Sequence, residues 1–216
     1  VQADAELPDT GIPYRQDARL RLADCYFALK RYDDAIAAYE QVDGSGTDYA
    51  LYQAGKALYF AGRPADALSR LQRFADRSPD SPFRPDALYR IGDIHFQQQR
   101  YQAAREAFRR LLDAYPDDPR ASEAQYAIGD SYYNAGNMED AVGAYRAVLE
   151  TYPQSSSASE AASSLFFALN AAGQQDRADA LIASINENTP DVALEDRLRY
   201  QRARAAYQRG ESKRAL

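Results

Sequence analysis

The side chains that most often do covalent chemistry are scarce in this chain. It has one histidine, His95, and one cysteine, Cys25, too few to assemble a transition-metal site of ordinary composition. Cys25 has no partner for an intramolecular disulfide and reads as a small core residue. His95 falls in register with Leu58, Tyr132 and Leu169, which makes it a packed core or boundary histidine rather than a general base. The adjacent carboxylates Asp33 with Asp34 and Asp117 with Asp118 stand at turns and helix starts, where they complement the helix dipole. Gly44, Ser45 and Gly46 have neither the lysine nor the preceding strand of a phosphate loop. The sequence therefore predicts no catalytic residue, no metal site and no cofactor.

What does recur is a ladder of aromatic rings suited to binding. Tyr52, Tyr89, Tyr126 and Tyr200 share one position of a repeating pattern, with Ser163 the exception. Tyr59, Phe96, Tyr133 and Tyr207 share a second position seven residues on, with Asn170 the exception and Phe27 in the first copy. Positions seven apart lie on one helical face. Between the two rings fall Asp24, Lys56, Asp93, Asp130, Phe167 and Arg204. A tyrosine packs one face of its ring and offers a hydroxyl, which suits a surface both apolar and wet. Asp93 and Asp130 would hold a basic or amide group of a partner. Arg21, Gln53, Arg90 and Ala127, beside the first ring, imply that it stands nearer solvent. The same stripe also fits packing between repeats, and its charges fit a solvated face.

The elements that carry this ladder are helices. Apolar residues recur every three or four positions, period-two alternation is missing, and Ala, Arg, Leu, Glu and Gln dominate. First helices are expected near 14–29, 48–61, 85–98, 121–135, 157–172 and 192–209, and second helices near 32–42, 64–77, 101–114, 138–151 and 175–187. A small residue opens each second helix at Ala35, Ala67, Ala104, Ala141, Ala178 and Ala215, in steps of 32, 37, 37, 37 and 37. In phase with it run Gly55, Gly92 and Gly129, with Ala23 and Ala203 in the same slot. A bulky residue follows each alanine by four positions, at Tyr39, Leu71, Phe108, Tyr145 and Ile182, and Pro79, Pro116, Pro153 and Pro190 close the hairpins. The small residues let two helices cross closely, the bulky ones fill the remaining space, and proline stops the second helix. In 116–153, Ser122 is positioned to cap the first helix and Gly136 with Asn137 to make the turn.

This pattern resembles the tetratricopeptide repeat, whose signature places Gly or Ala, Tyr, Ala, a bulky residue and Pro in this order on a helix-turn-helix. The likeness covers about 16–216 and is strongest in 85–121 and 122–158. It departs at Phe166, which stands where Gly is expected, and at Gly44, Ser45 and Gly46, which end the first copy in place of Pro. The resemblance implies an all-α, right-handed superhelical solenoid of helix-turn-helix hairpins, five complete repeats plus a truncated sixth. A lead-in over 1–13 would precede a single solenoid over 14–216, with repeats near 14–47, 48–84, 85–121, 122–158, 159–195 and a partial 196–216. In proteins of this kind the ladder positions line the concave groove, where peptides bind. That implication makes Tyr52, Lys56, Tyr59, Tyr89, Asp93, Phe96, Tyr126, Asp130, Tyr133, Tyr200 and Arg204 the candidate partner-binding residues. The longer links after each proline, with their Tyr-Pro endings, resemble those of bacterial cell-envelope repeat proteins of the Tol-Pal coordinator and β-barrel assembly lipoprotein type. They imply a periplasmic or envelope location, with the cytoplasm as the alternative.

Composition narrows the partner. A net charge of −6, from 32 acidic against 26 basic residues, excludes the basic footprint of a nucleic-acid binder. No stretch approaches the ~18 apolar residues of a membrane span, so direct membrane insertion is not expected of this segment. The expected function is a non-catalytic scaffold for a protein or peptide in the groove. The alternatives are self-assembly through the C-terminal end, or binding of a glycan or small ligand in envelope biogenesis. Gly210 reads as a turn and ESKRAL as the start of an uncompleted second helix. Tyr200, Ala203 and Tyr207 would then lack their usual cover, as in a fragment of a longer protein or a surface for another molecule.

Overall fold

The computed structural model describes residues 14–43, 46–188 and 192–208. The expected lead-in, Gly44 and Ser45, Pro190, and the truncated second helix with Gly210 and Ala215 lie outside the described residues. Those that are described form eleven α-helices and no strand: α1 (Tyr14–Ala28), α2 (Tyr32–Tyr39), α3 (Thr47–Phe60), α4 (Pro64–Arg77), α5 (Arg84–Gln97), α6 (Tyr101–Ala114), α7 (Ala121–Asn134), α8 (Met138–Thr151), α9 (Ala158–Ala171), α10 (Gln175–Asn188) and α11 (Val192–Gln208). The chain divides into two compact units, Val1–Ile94 and His95–Leu216, the division falling inside α5. In the first unit α1 packs on α2, α2 on α3, and α3 on α4; in the second, α6 packs on α7, α7 on α8, α8 on α9, and α10 on both α9 and α11.

Each hairpin turns on one residue in the left-handed region: Lys30, Gly62, Gln99, Gly136 and Gly173, with φ between 59° and 81°. The same bond pair closes all five turns. In α7, for example, the Asn137 amide donates to the Tyr132 carbonyl at 2.9 Å and the Gly136 amide to the Tyr133 carbonyl at 3.0 Å, which satisfies carbonyls the helix end would leave open. Lys30 and Gln99 adopt this conformation with a side chain attached, at a cost of about 1 kcal/mol each.

The expected close approach of small and bulky residues is visible atom by atom. A Cβ placed on Gly129 would lie 2.5 Å from the Tyr145 ring, and one on Gly55 would lie 2.7 Å from Leu71 Cδ2. The hairpin that breaks the glycine rule compensates across the pair. Phe166 is fully buried on α9, and the facing slot on α10 holds the smaller Ile182 in the same core cluster.

Two expectations are corrected. Ser122 does not cap α7; Arg120 precedes the helix, no side chain caps it, and the Ser122 hydroxyl is buried 3.4 Å from that of Ser157. The helix starts two residues earlier than a Ser122 cap requires, so the hydroxyl serves the contact between hairpins. Cys25 is exposed, not a core residue. Ala23 occupies the buried position of α1, and a residue two further on points to the far side of the helix.

Candidate partner-binding surface

Each Tyr and Asp of the ladder is positioned by a local helix; Tyr52, Tyr59 and Tyr126 find their hydroxyl partners on the next hairpin, and Asp24 and Asp130 find theirs on the second helix of their own. In the first unit Tyr52 is 5% exposed, and its ring stacks on Phe83 at 5.4 Å. Its hydroxyl donates to Asp86 Oδ2, which also accepts from Arg90 Nε at 2.6 Å. Burial, then the hydrogen bond and charge of Asp86, push the Tyr52 hydroxyl up to about 12, with Arg90 opposing. Tyr52 is therefore a packing residue in this structure. Arg90, which the sequence placed nearer solvent, is drawn inward by Asp86, leaving the two side chains 16% and 11% exposed.

Tyr59 follows the same rule one step along. It is half-buried, and its hydroxyl donates to Asp93 Oδ2 at 2.8 Å, so this carboxylate already holds a partner within the chain. Lys56 Nζ lies 5.1 Å from the Phe27 ring centroid. Tyr89 is half-buried. Around these residues lies an aromatic patch that the ladder did not include. Phe60 is exposed and touches Phe27 at 5.8 Å, Tyr32 at 6.0 Å and Tyr59 at 5.2 Å, centroid to centroid. Its in-phase positions carry Gln97, Asn134 and Ala171, so no recurrence marked it.

In the second unit the centre is Asp130. Tyr145 donates to its Oδ1 at 2.6 Å, and Tyr126 lies against Tyr145 at 5.6 Å with its hydroxyl 3.1 Å from Ser164 Oγ. Burial raises the Asp130 carboxyl above its ordinary range, partly countered by the bond from Tyr145. Burial likewise raises the Tyr145 hydroxyl, with Asp130 adding to it. The pairing is repeated in α1 and α2, where Tyr39 donates to Asp24 Oδ1 at 2.5 Å. Asp24 and Asp130 stand opposite tyrosines in the bulky slot; where that slot holds Leu71 or Ile182, the matching residue is Lys56 or Phe167, and where it holds Phe108 the matching Asp93 takes its hydrogen bond from Tyr59 instead. This covariation within the chain was the available signal for the pairs.

Beyond this core, rings reach solvent. Tyr133 on α7 is 36% exposed and Phe167 on α9 is 44% exposed; these two helices touch. Phe96 is half-buried against Tyr101 at 5.6 Å. On α11, Tyr200 and Tyr207 are 64% and 79% exposed, Arg204 is exposed and Ala203 is half-buried. His95 is half-buried as expected, and burial lowers its imidazole below the ordinary range. Among the described residues, no group of three or more His, Cys, Asp or Glu side chains could hold a metal. No described helix is long and apolar enough to cross a membrane.

Small residues in the middle of most first helices, alanine near the start of each second helix and left-handed turns at one phase define an α-hairpin repeat protein. The repeat is the tetratricopeptide repeat: family models of that description match residues 2–59, 52–119 and 123–155, and the chain is built from such repeats. Among solved structures, a MamA protein is 24% identical with a TM-score of 0.66, covering 82% of this chain and 92% of that one. MamA from Desulfovibrio magneticus RS-1, from residue 41 to its end, is 18% identical with a TM-score of 0.64 over 82% of this chain and 97% of that one. A Podosopora anserina putative kinesin light chain with nearly identical TPR-like repeats is 15% identical with a TM-score of 0.63, over 89% and 98%. These likenesses show the fold. No curated protein matches the chain. Proteins of this fold generally act as protein-interaction scaffolds and are typically non-catalytic.

Proposed function

We propose that this chain is a non-catalytic scaffold that binds a protein or peptide on the first-helix faces of its units. The observation that carries the reading is the second unit's face, where Tyr133 and Phe167 are exposed on touching helices around a core already filled by Tyr145, Tyr126 and Asp130. Large rings left in solvent on a closed, rigid base are the usual anchors of a binding surface. The Asp130–Tyr145 pair holds that base, and the outer rings make contact. The aromatic patch of Phe60, Phe27 and Tyr59 plays the corresponding part in the first unit. The same reading places the protein in the bacterial cell envelope, on its long Tyr-Pro links, which fractionation of a tagged chain in its host checks.

A selection from a displayed random-peptide library tests the function. Enriched peptides should bind the wild-type chain and lose about tenfold or more in affinity to Tyr133→Ser with Phe167→Ser, with the circular dichroism melt unchanged. Equal affinity for the double variant would overturn the placement. Self-association is a second reading, favoured by the exposure of Tyr200 and Tyr207 on α11. Light scattering across concentration decides it, since a monomer at all concentrations excludes it.

A further inference from the structure

A crevice of about 350 Å³ opens in the first unit among α2, α3 and α4, lined by none of the ladder residues. Its volume falls within the roughly 300–1,000 Å³ of small-molecule sites. The floor is apolar, from the buried Ile36 and Leu58. The wall is cationic, from Arg63, Arg70 and Arg73, with Ser69 between them.

The donors of that wall exceed its acceptors. Asp66 accepts from Arg63 Nε at 2.9 Å, and Glu40 accepts from Arg70 Nη2. Arg63 Nη1 stands 3.7 Å from Asp33, beyond hydrogen-bond reach. Arg73 and the Ser69 hydroxyl have no partner among the described residues. The carboxylates thus orient two of the guanidinium groups and leave the third open to the crevice. A guanidinium fork matches the paired oxygens of a phosphate or carboxylate.

The fold does not require these arginines. In phase with Arg70 the later hairpins carry Ala107, Ala144 and Leu181, and in phase with Arg73 they carry Arg110, Ala147 and Ser184. The packing residues beside them, Ala67 and Leu71, recur as Ala104 with Phe108 and Ala141 with Tyr145. Arg70 and Arg73 therefore come together in this hairpin alone, on a chain whose net charge is −6.

We propose that the crevice is a binding site for a small oxyanion-bearing ligand, a phosphate monoester or a carboxylate with a short apolar body. The anionic group is held by Arg73 and Arg70 with Ser69 donating, and the body lies on Ile36 and Leu58.

Calorimetric titration of the full chain with phenyl phosphate and with benzoate, at constant ionic strength in sodium chloride, tests this. The expected result is saturable binding of at least one probe in the millimolar range or tighter. Arg73→Ala should weaken it about tenfold or more, and Arg73→Lys should weaken it less, because the charge stays and the fork is lost. The tighter of the two probes identifies the oxyanion. Arg73 is exposed, so thermal melts of both variants should match wild type. Absence of saturable binding by either probe, or binding that Arg73→Ala leaves unchanged, would overturn the proposal.

Discussion

Replacing Gly129 by alanine adds a single methyl group at the close crossing of α7 and α8. The new Cβ would lie 2.5 Å from Tyr145 Cδ1 and Cε1 and 3.1 Å from Cγ, whereas carbon atoms settle at roughly 3.5–4.0 Å. The ring must therefore retreat by about 1 Å. It has little freedom to do so, being 1% exposed, packed on Tyr126 and tethered to Asp130 at 2.6 Å. Overpacking of this kind costs about 1–3 kcal/mol, and alanine's better helix propensity returns up to about 1 kcal/mol. Displacing the tyrosine from Asp130 adds roughly 1 kcal/mol, so the expected net loss is about 2 kcal/mol. The control is Gly143, on the facing helix α8, where an added Cβ meets nothing within 4 Å. There the same substitution should stabilise by about 1 kcal/mol. Urea denaturation followed by circular dichroism at the helix band reads both variants. If Gly129→Ala is as stable as wild type, or if the two variants shift in the same direction, the account of the hairpin crossing is wrong.

Further outcomes follow from the buried carboxylates. Because burial raises Asp130 in the folded chain above its unfolded value of 3.8, the folded state favours its protonated form. That contribution is complete below about pH 4 and is lost as pH rises through the folded value. Asp130→Asn keeps an acceptor for Tyr145 without the charge, so its stability relative to wild type should improve between pH 4 and pH 7; a relative decline over that range in urea titrations would contradict this. Asp86→Ala strips a largely buried guanidinium, Arg90, of its partner, and should cost about 3 kcal/mol. An effect below about 1 kcal/mol, the level of a surface pair, would place the Tyr52–Asp86–Arg90 cluster in solvent.

The hairpins were legible in the sequence because their determinants are local and periodic. Gly55 and Gly129 admit Leu71 and Tyr145 at fixed spacing, Gly62, Gly136 and Gly173 turn the chain, and helix ends match the expected ones closely, α2 excepted, which stops at Tyr39. The candidate surface was less legible because the burial of each ring depends on the next hairpin. Tyr52 to Asp86 and Tyr59 to Asp93 are both steps of 34 residues, three short of the 37-residue period. Aligning like with like therefore hid the complementary partner. Aligning tyrosines with acids one helical turn out of phase would have moved Tyr52 into the core. The residue 34 on from Tyr133 is Phe167 rather than an acid, so no carboxylate at that step draws the Tyr133 ring inward, and Phe60 was missed because its position carries an aromatic residue in only one hairpin. Cys25 shows the opposite failure, since its apolar character outweighed the fact that Ala23 already held the inward position.

The claim that the first-helix face receives a partner is tested most directly by hydroxyl-radical footprinting of the chain with and without a selected peptide. The account predicts protection of Tyr133 and Phe167 on binding, with Tyr152 at the end of α8 modified at an unchanged rate. Protection of Tyr152 with Tyr133 and Phe167 still fully reactive would contradict it and move the site to the second helices.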